Sequence, residues 1–243
     1  MFLRGKNVFL QSELFQEMST EETNKRVQTS FTQGGDRSFI QENQRSLGFI
    51  AIGIVVLIVL YFGYQQLYLA PRAEKAVNEV FKAETYAQID SLHKLAIKGD
   101  GSYPGFEQIA NEYSNTPSAN IANAYLGGLY LRQSQYQEAV TALEKYSATG
   151  SPVLDPLVTG LLGDAYSELK DYKKAENQYK KAADLKSNDF TSPLFLKKLG
   201  LVKEAQNDFK GALEAYNKIK KDYPQSYEAS MVDAYIGRAE ARL

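Results

Sequence analysis

The chain has 243 residues and a nearly balanced charge, with 28 Lys and Arg against 29 Asp and Glu and a formal net charge of −1. This length suits one ordinary domain with an added segment. The basic residues are scattered, which argues against a nucleic-acid partner, because such proteins carry a basic patch or stripe. The absence of cysteine excludes disulfides, thiol chemistry and cysteine-based metal sites.

The first 46 residues form a polar N-terminal tail. They are rich in Gln, Ser, Thr and Asn and show no sustained hydrophobic period, so we expect residues 1–46 to be mostly disordered. Two alternatives stay open for the beginning of the chain. The more apolar segment from Phe2 to Phe15 could form a short interfacial helix, or translation could start at Met18.

An uncharged apolar run, Leu47 to Tyr64, follows the tail. As a helix, its 18 residues would span roughly 27 Å, close to the ~30 Å hydrocarbon core of a bilayer. A cleaved signal peptide fits less well, because the run is long and no small-x-small cleavage site follows it. We therefore predict a single transmembrane helix over residues 47–69. The flanking charges do not determine its orientation.

The residues after this helix repeat with a period of 36 to 37 residues. Each of three copies has a glycine, an alanine twelve residues later and a large side chain four residues after that. The glycines are Gly127, Gly163 and Gly200, the alanines are Ala139, Ala175 and Ala212, and the large side chains are Leu143, Tyr179 and Tyr216. This pattern resembles the tetratricopeptide repeat, a pair of antiparallel helices that approach closely at small residues. Lys203 departs from the pattern by replacing the tyrosine present at Tyr130 and Tyr166.

The repeats predict an all-α fold, in which a single N-terminal transmembrane helix is followed by a tetratricopeptide-repeat helical solenoid. The solenoid domain covers residues 70–243 and comprises about three repeats plus a capping helix over residues 225–243. Upstream of the repeats, the hydrophobic period predicts one helix over residues 73–97. The helix starts are indicated by a capping residue before a proline in Thr116-Pro117, Asp155-Pro156 and Ser192-Pro193.

The sequence shows no recognisable catalytic or metal-binding constellation. His93 is the one histidine, and no phosphate-binding, dinucleotide-binding or nucleophile-elbow motif occurs. We therefore predict a protein without enzymatic activity or a cofactor. The expected working surface is the concave face, where the first helix of each repeat would bind an extended polypeptide or one partner's helix. Counted from the repeat glycines, this face comprises Ala124, Gly128, Leu131, Arg132, Gly160, Asp164, Ser167, Glu168, Lys197, Leu201 and Glu204.

The arrangement over residues 42–243 resembles the bacterial YfgM-like family, in which a short tail and one membrane anchor precede a small tetratricopeptide domain. The stretches that carry this resemblance are 81–101, 105–106, 119–125, 188–193 and 235–239. The resemblance implies a non-catalytic adaptor or chaperone that acts with the SecYEG translocon and a PpiD-type membrane-anchored chaperone on nascent or unfolded polypeptide. It also implies the bacterial inner membrane, with the N-terminus cytoplasmic and the C-terminal domain periplasmic.

Two other interpretations of the same pattern stay open. The repeats could form a structural scaffold subunit of a cell-envelope or secretion complex and bind one fixed partner. The opposite membrane topology would instead make the domain a receptor that faces the cytosol.

Overall fold

The computed structural model describes residues 43–243, and the regular secondary structure of this part of the chain is helical apart from an isolated β-bridge between Gly99 and Pro104. It divides into two compact units, with the boundary after Gln65. The predictions for residues 1–42, including the disordered tail, the helix between Phe2 and Phe15 and the alternative start at Met18, lie outside the described residues.

The first unit contains helix α1, Gln44–Tyr64, which includes the whole apolar run. None of its residues is buried, and large side chains such as Leu57 and Phe62 are more than half exposed. In the described part of the chain, one helical run, Gln44–Ala87, is long and apolar enough to cross a membrane, with a mean hydropathy of 2.6 over its most apolar window. This is the single long apolar helix that the sequence predicts.

A π-helical turn, Gln65–Leu69, includes the boundary, and the second unit contains ten α-helices within residues 66–243. The entry helices are α2 (Ala70–Ala87), α3 (His93–Lys98) and α4 (Phe106–Glu112). The repeat helices are α5 (Pro117–Arg132), α6 (Tyr136–Glu144), α7 (Leu154–Glu168), α8 (Tyr172–Asp184), α9 (Thr191–Ala205), α10 (Phe209–Asp222) and α11 (Val232–Glu240). We call α5, α7, α9 and α11 the first helices of their repeats, and α6, α8 and α10 the second helices. The predicted all-α solenoid is confirmed.

The turn inside each repeat has the same backbone geometry in all three copies. Ser134, Lys170 and Asn207 lie seven residues after the repeat glycine, and their φ angles are 58°, 63° and 60°. In each copy the next residue donates its N–H to a carbonyl five residues earlier at 2.9 Å. This left-handed residue with a long backbone hydrogen bond is the Schellman arrangement, which ends the first helix and turns the chain into the second.

The repeat glycines allow the two helices of each repeat to touch. A Cβ placed at Gly127 would lie 2.2 Å from the Leu143 side chain, and one at Gly200 would lie 2.1 Å from the Tyr216 ring. Gly163 faces Tyr179 in the same way at 2.7 Å. The spacing that identifies the repeat in the sequence is therefore the spacing of its tightest helix contact.

Two of the three predicted helix caps are wrong. Thr116 caps α5 as expected, since its hydroxyl accepts the N–H of Ala119. Asp155 instead lies inside the first turn of α7, and Ser192 lies inside that of α9. The N–H groups at the start of α9 are satisfied by the side chain of Asn188, whose Oδ1 accepts from residues 190 and 191.

Two predicted helices are shorter than their hydrophobic period indicates. The helix expected over residues 73–97 divides into α2 and α3, separated by a 3-10 turn, Asp90–Leu92. The helix expected over residues 225–243 is restricted to α11, because residues 224–231 form turns. The Ser226 hydroxyl holds these turns by accepting from Ala229 N–H and donating to the Tyr223 carbonyl.

Candidate protein-binding groove

The first helices α5, α7 and α9 line a groove, which we call the first-helix groove. It consists of two adjoining depressions of about 600 Å³ and about 270 Å³. The larger is lined by Gly128, Leu131, Arg132, Tyr136, Leu161, Asp164, Ser167, Glu168, Tyr179 and Lys198. The smaller shares the last five of these and adds Lys170, Tyr172, Leu201, Val202 and Ala205. The groove therefore combines leucine and tyrosine walls with a few polar side chains.

An ion pair between two repeats lies at the centre of the groove. The Nζ of Lys198 on α9 is 2.6 and 2.7 Å from the two carboxylate oxygens of Asp164 on α7. The hydroxyl of Tyr179 on α8 donates to the same carboxylate at 2.7 Å. Burial, with the charge of Asp164, raises the pKa of Tyr179, so the phenol remains a donor at neutral pH. The Asp164 and Lys198 side chains are 26% and 30% exposed, which leaves both within reach of a ligand.

The structure brings seven of the predicted residues together in this groove. Gly128, Leu131 and Arg132 on α5 face Asp164, Ser167 and Glu168 on α7 in the larger depression, and Leu201 lies in the smaller one. Arg132 is also held at its outer end, because its guanidinium lies 3.3 Å from a carboxylate oxygen of Asp90.

Four predicted residues lie elsewhere. Gly160 is buried beneath the ring of Phe195 and serves helix packing, since a Cβ at this position would lie 1.9 Å from that ring. Lys197 is directed to Glu228, with its Nζ 3.4 Å from the carboxylate. The other two are Ala124, which does not line either depression, and Glu204, which pairs with Arg238 of α11 at 2.9 Å.

Sequence reasoning missed Lys198 and Leu161, which lie two residues before their repeat glycines. Leu161 lies three residues before Asp164, and Lys198 lies three residues before Leu201. Residues three apart share a helix face, so the helical period alone could have identified Leu161 and Lys198. The tyrosines Tyr136, Tyr172 and Tyr179 come from second helices and reach the groove across the helix pair. A pattern restricted to first helices could not include them.

The departure at Lys203 has a structural explanation. Three residues after each repeat glycine, a polar side chain reaches an acid on the preceding helix. The pairs are Tyr130 with Glu107, Tyr166 with Glu144 at 2.7 Å, and Lys203 with Glu176 at 2.8 Å. The hydrogen bond from Lys203 lowers the pKa of Glu176, and the third copy thus keeps the contact as an ion pair.

Comparison with known proteins agrees with this architecture. Two tetratricopeptide-repeat families match the chain, one over residues 160–189 and the other over residues 198–226. The crystal structure of a Podosopora anserina protein, described as a kinesin light chain with nearly identical TPR-like repeats, is similar in fold. The similarity has a TM-score of 0.51 at 16% identity and covers 69% of this chain and 86% of that one. No curated protein matches the chain.

These matches, with the repeat register and the helix pairing, show that the chain carries tetratricopeptide repeats. Such repeats are generally non-catalytic and bind other proteins, and neither family match is to an enzyme. The chain is accordingly of the protein-binding adaptor type.

Proposed function

We propose that the protein is a non-catalytic, membrane-anchored adaptor or chaperone that binds polypeptide in the first-helix groove. The observation that carries this proposal is the Asp164–Lys198 pair between the leucine side chains of neighbouring repeats. The Asp164 carboxylate can accept hydrogen bonds, the Lys198 ammonium can donate them, and their charges cancel. This combination suits the N–H and C=O groups of an extended backbone. The apolar walls at Leu131, Leu161 and Leu201 suit the side chains that an unfolded segment exposes.

We further propose that the polypeptide comes from the Sec translocon. The similarity to YfgM-like proteins supports the SecYEG translocon and a PpiD-type chaperone as partners. It also supports a location in the bacterial inner membrane, with a cytoplasmic N-terminus and a periplasmic domain. The exposed apolar helix α1 supports a single-pass anchor over residues 47–69, and residues 70–243 would then form the tetratricopeptide domain.

The second candidate function is a scaffold subunit of a cell-envelope or secretion complex. It is favoured by the pairing of charges along the first helices, because Asp164, Glu204 and Arg132 already have ionic partners within the chain. A surface of this kind is pre-organised, which suits one fixed partner as well as many clients.

Site-specific photo-crosslinking in intact cells separates the two candidates. The crosslinking residue replaces Leu201 in the groove and, as a matched control, Asn217, which is exposed on second helix α10. The adaptor proposal predicts many newly made secreted or membrane polypeptides attached at position 201 and few at 217. A single stoichiometric protein at 201 would establish the scaffold instead, and equal labelling at both positions would contradict binding in the groove.

Two further measurements test the location. Co-purification with translocon subunits after mild detergent extraction is expected if the protein acts at the Sec machinery, and their absence would remove that partner. Protease added to intact spheroplasts should digest residues 70–243 from outside. Full protection of this domain would establish the cytosolic topology.

A further inference from the structure

Three inter-repeat turns each expose a large apolar side chain at the same register. Val153, Phe190 and Tyr227 lie ten residues before the glycines at 163, 200 and 237, and their exposed fractions are 42%, 65% and 72%. We call these three residues the turn stripe. Single exposed apolar residues are common on protein surfaces, but recurrence at one register in successive repeats places them in a row.

Two neighbouring turns of this row touch each other, and the third contacts helix α9. Val153 directly precedes α7 and Phe190 directly precedes α9. The Asn188 side chain donates to the Pro152 carbonyl at 3.1 Å, which joins the turn before α9 to the turn before α7. The turn before α11 contacts α9 through Lys197 and Glu228. The turn stripe therefore runs along one edge of the solenoid.

The opposite edge has a different composition. It consists of the turns inside the repeats, residues 133–135, 169–171 and 206–208, which are polar apart from Leu169. The same helices form both edges of the solenoid. Packing between these helices therefore gives no reason for one edge to expose a row of apolar side chains that the other edge lacks.

Helix α2 begins at the edge that carries the turn stripe. At its N-terminal end, Arg72 donates to the Glu112 carbonyl and lies over the Tyr113 ring at 5.7 Å, next to the turn before α5. Past its C-terminal end, Asp90 lies 3.3 Å from Arg132, the last residue of α5, at the opposite edge. Because residue 70 directly follows the proposed membrane-spanning segment, residues 47–69, the turn-stripe edge is the one at which the chain enters the domain.

We propose that the turn stripe inserts into the headgroup region of the bilayer that α1 spans. The proposal rests on the membrane anchoring contained in the proposed function. Phe and Tyr side chains suit the membrane interface, and a tethered domain needs only weak additional binding because its local concentration at the bilayer is high. Lys186 and Asp189 beside Phe190 have opposite charges, so apolar insertion, and not headgroup charge, provides the binding. Insertion would fix the orientation of the first-helix groove relative to the membrane.

The chain contains no tryptophan, so a single introduced tryptophan reports on its own surroundings. Full-length Phe190→Trp and Tyr227→Trp are reconstituted in vesicles with and without lipids brominated on the acyl chain. Leu169→Trp, at the opposite edge, is the matched control, and Leu60→Trp within α1 reports insertion of the anchor. We expect the turn-stripe variants to lose roughly half of their emission in brominated vesicles, because interfacial side chains reach ~5–10 Å into the headgroup and acyl boundary. Leu169→Trp should be unaffected, and the quenching should persist in high salt.

Each failure has a separate reading. Quenching of Leu60→Trp without quenching at positions 190 and 227 overturns the turn-stripe proposal and leaves the anchor intact. A turn stripe that binds a protein partner instead of the bilayer would give this result, and the proposal would then be wrong. An unquenched Leu60→Trp contradicts the anchor and the turn-stripe proposal together.

Discussion

Tyr216 is fully buried, and its ring lies against Gly200 on the facing helix. The same contact joins Gly163 to Tyr179 and Gly127 to Leu143. At the residue scale, these positions were predictable. A glycine in the interior of a helix lowers the stability of the helix by about 1 kcal/mol relative to alanine, so its recurrence at one position of each repeat indicates a close helix contact.

The first prediction concerns this contact. Gly200→Ala would place a methyl group 2.1 Å from the Tyr216 ring, which the fully buried ring cannot avoid without displacement. We expect the free energy of unfolding to fall by about 1–3 kcal/mol, as for other overpacked cores. The control is Gly128→Ala, where the nearest side-chain atom lies 4.0 Å away and helix propensity predicts a gain. Equal unfolding midpoints for both variants in urea would contradict the account.

Asp155 shows what the sequence could not supply at this scale. A capping residue before a proline was the natural interpretation, but the carboxylate instead fastens the preceding loop. It accepts from the Tyr146 hydroxyl at 2.6 Å, from the Thr149 N–H at 2.9 Å and from the Gly150 N–H at 2.8 Å. These partners depend on the path of the loop in space, which no local pattern contains.

The second prediction is a pH dependence at Asp155. Burial raises the pKa of this carboxyl, but the hydrogen bonds outweigh it and hold the pKa below its usual range. Its contribution to stability is therefore complete above the unfolded pKa of about 3.9 and is lost as pH falls through the lower folded value. Asp155→Asn should lower the free energy of unfolding by about 1–3 kcal/mol at pH 7.

Urea titrations at neutral and acidic pH check this. The difference between the unmodified chain and Asp155→Asn should shrink in acid, whereas Asp189→Asn, at an exposed position, should have little effect at either pH. A pH-independent difference for Asp155→Asn would show that its charge is not the stabilising element.

At the scale of elements, the repeat register determines how each helix ends. Ser134, Lys170 and Asn207 share a left-handed backbone that non-glycine residues adopt at a cost. The sequence gives no sign of this, because none of the three is a glycine. The helix boundaries near residues 90 and 225 were also missed. The amphipathic period of the sequence continues through both of these turns, although their residues are not α-helical.

The third prediction uses this geometry. Ser134→Gly should raise the free energy of unfolding by about 1 kcal/mol, because glycine has no Cβ penalty at a φ of 58°. Lys180→Gly, at an exposed position in the interior of α8, should lower it by about 1 kcal/mol. Thermal unfolding of the two variants measures both signs. A loss of stability in Ser134→Gly would contradict the turn assignment.

At the scale of the whole molecule, an apolar helix and a repeat domain with a polar-centred groove together suggest a tethered binding surface. The fold followed from the sequence, and seven of the eleven residues predicted for the concave face line the groove, because the repeat glycines set the helix register. The Asp164–Lys198 pair could not be predicted from the sequence, since it joins two repeats whose relative position the sequence does not state. The central claim is that this groove binds polypeptide.

Binding of a fluorescent, permanently unfolded polypeptide to the full chain in lipid nanodiscs tests that claim most directly. Leu201→Asp, at a groove position that is 39% exposed, should weaken binding about tenfold, because it replaces an apolar contact by a charge without a partner. Asn217→Asp, on the other side of the helix pairs, should bind as the unmodified chain does. Equal affinities for Leu201→Asp and Asn217→Asp would contradict the claim.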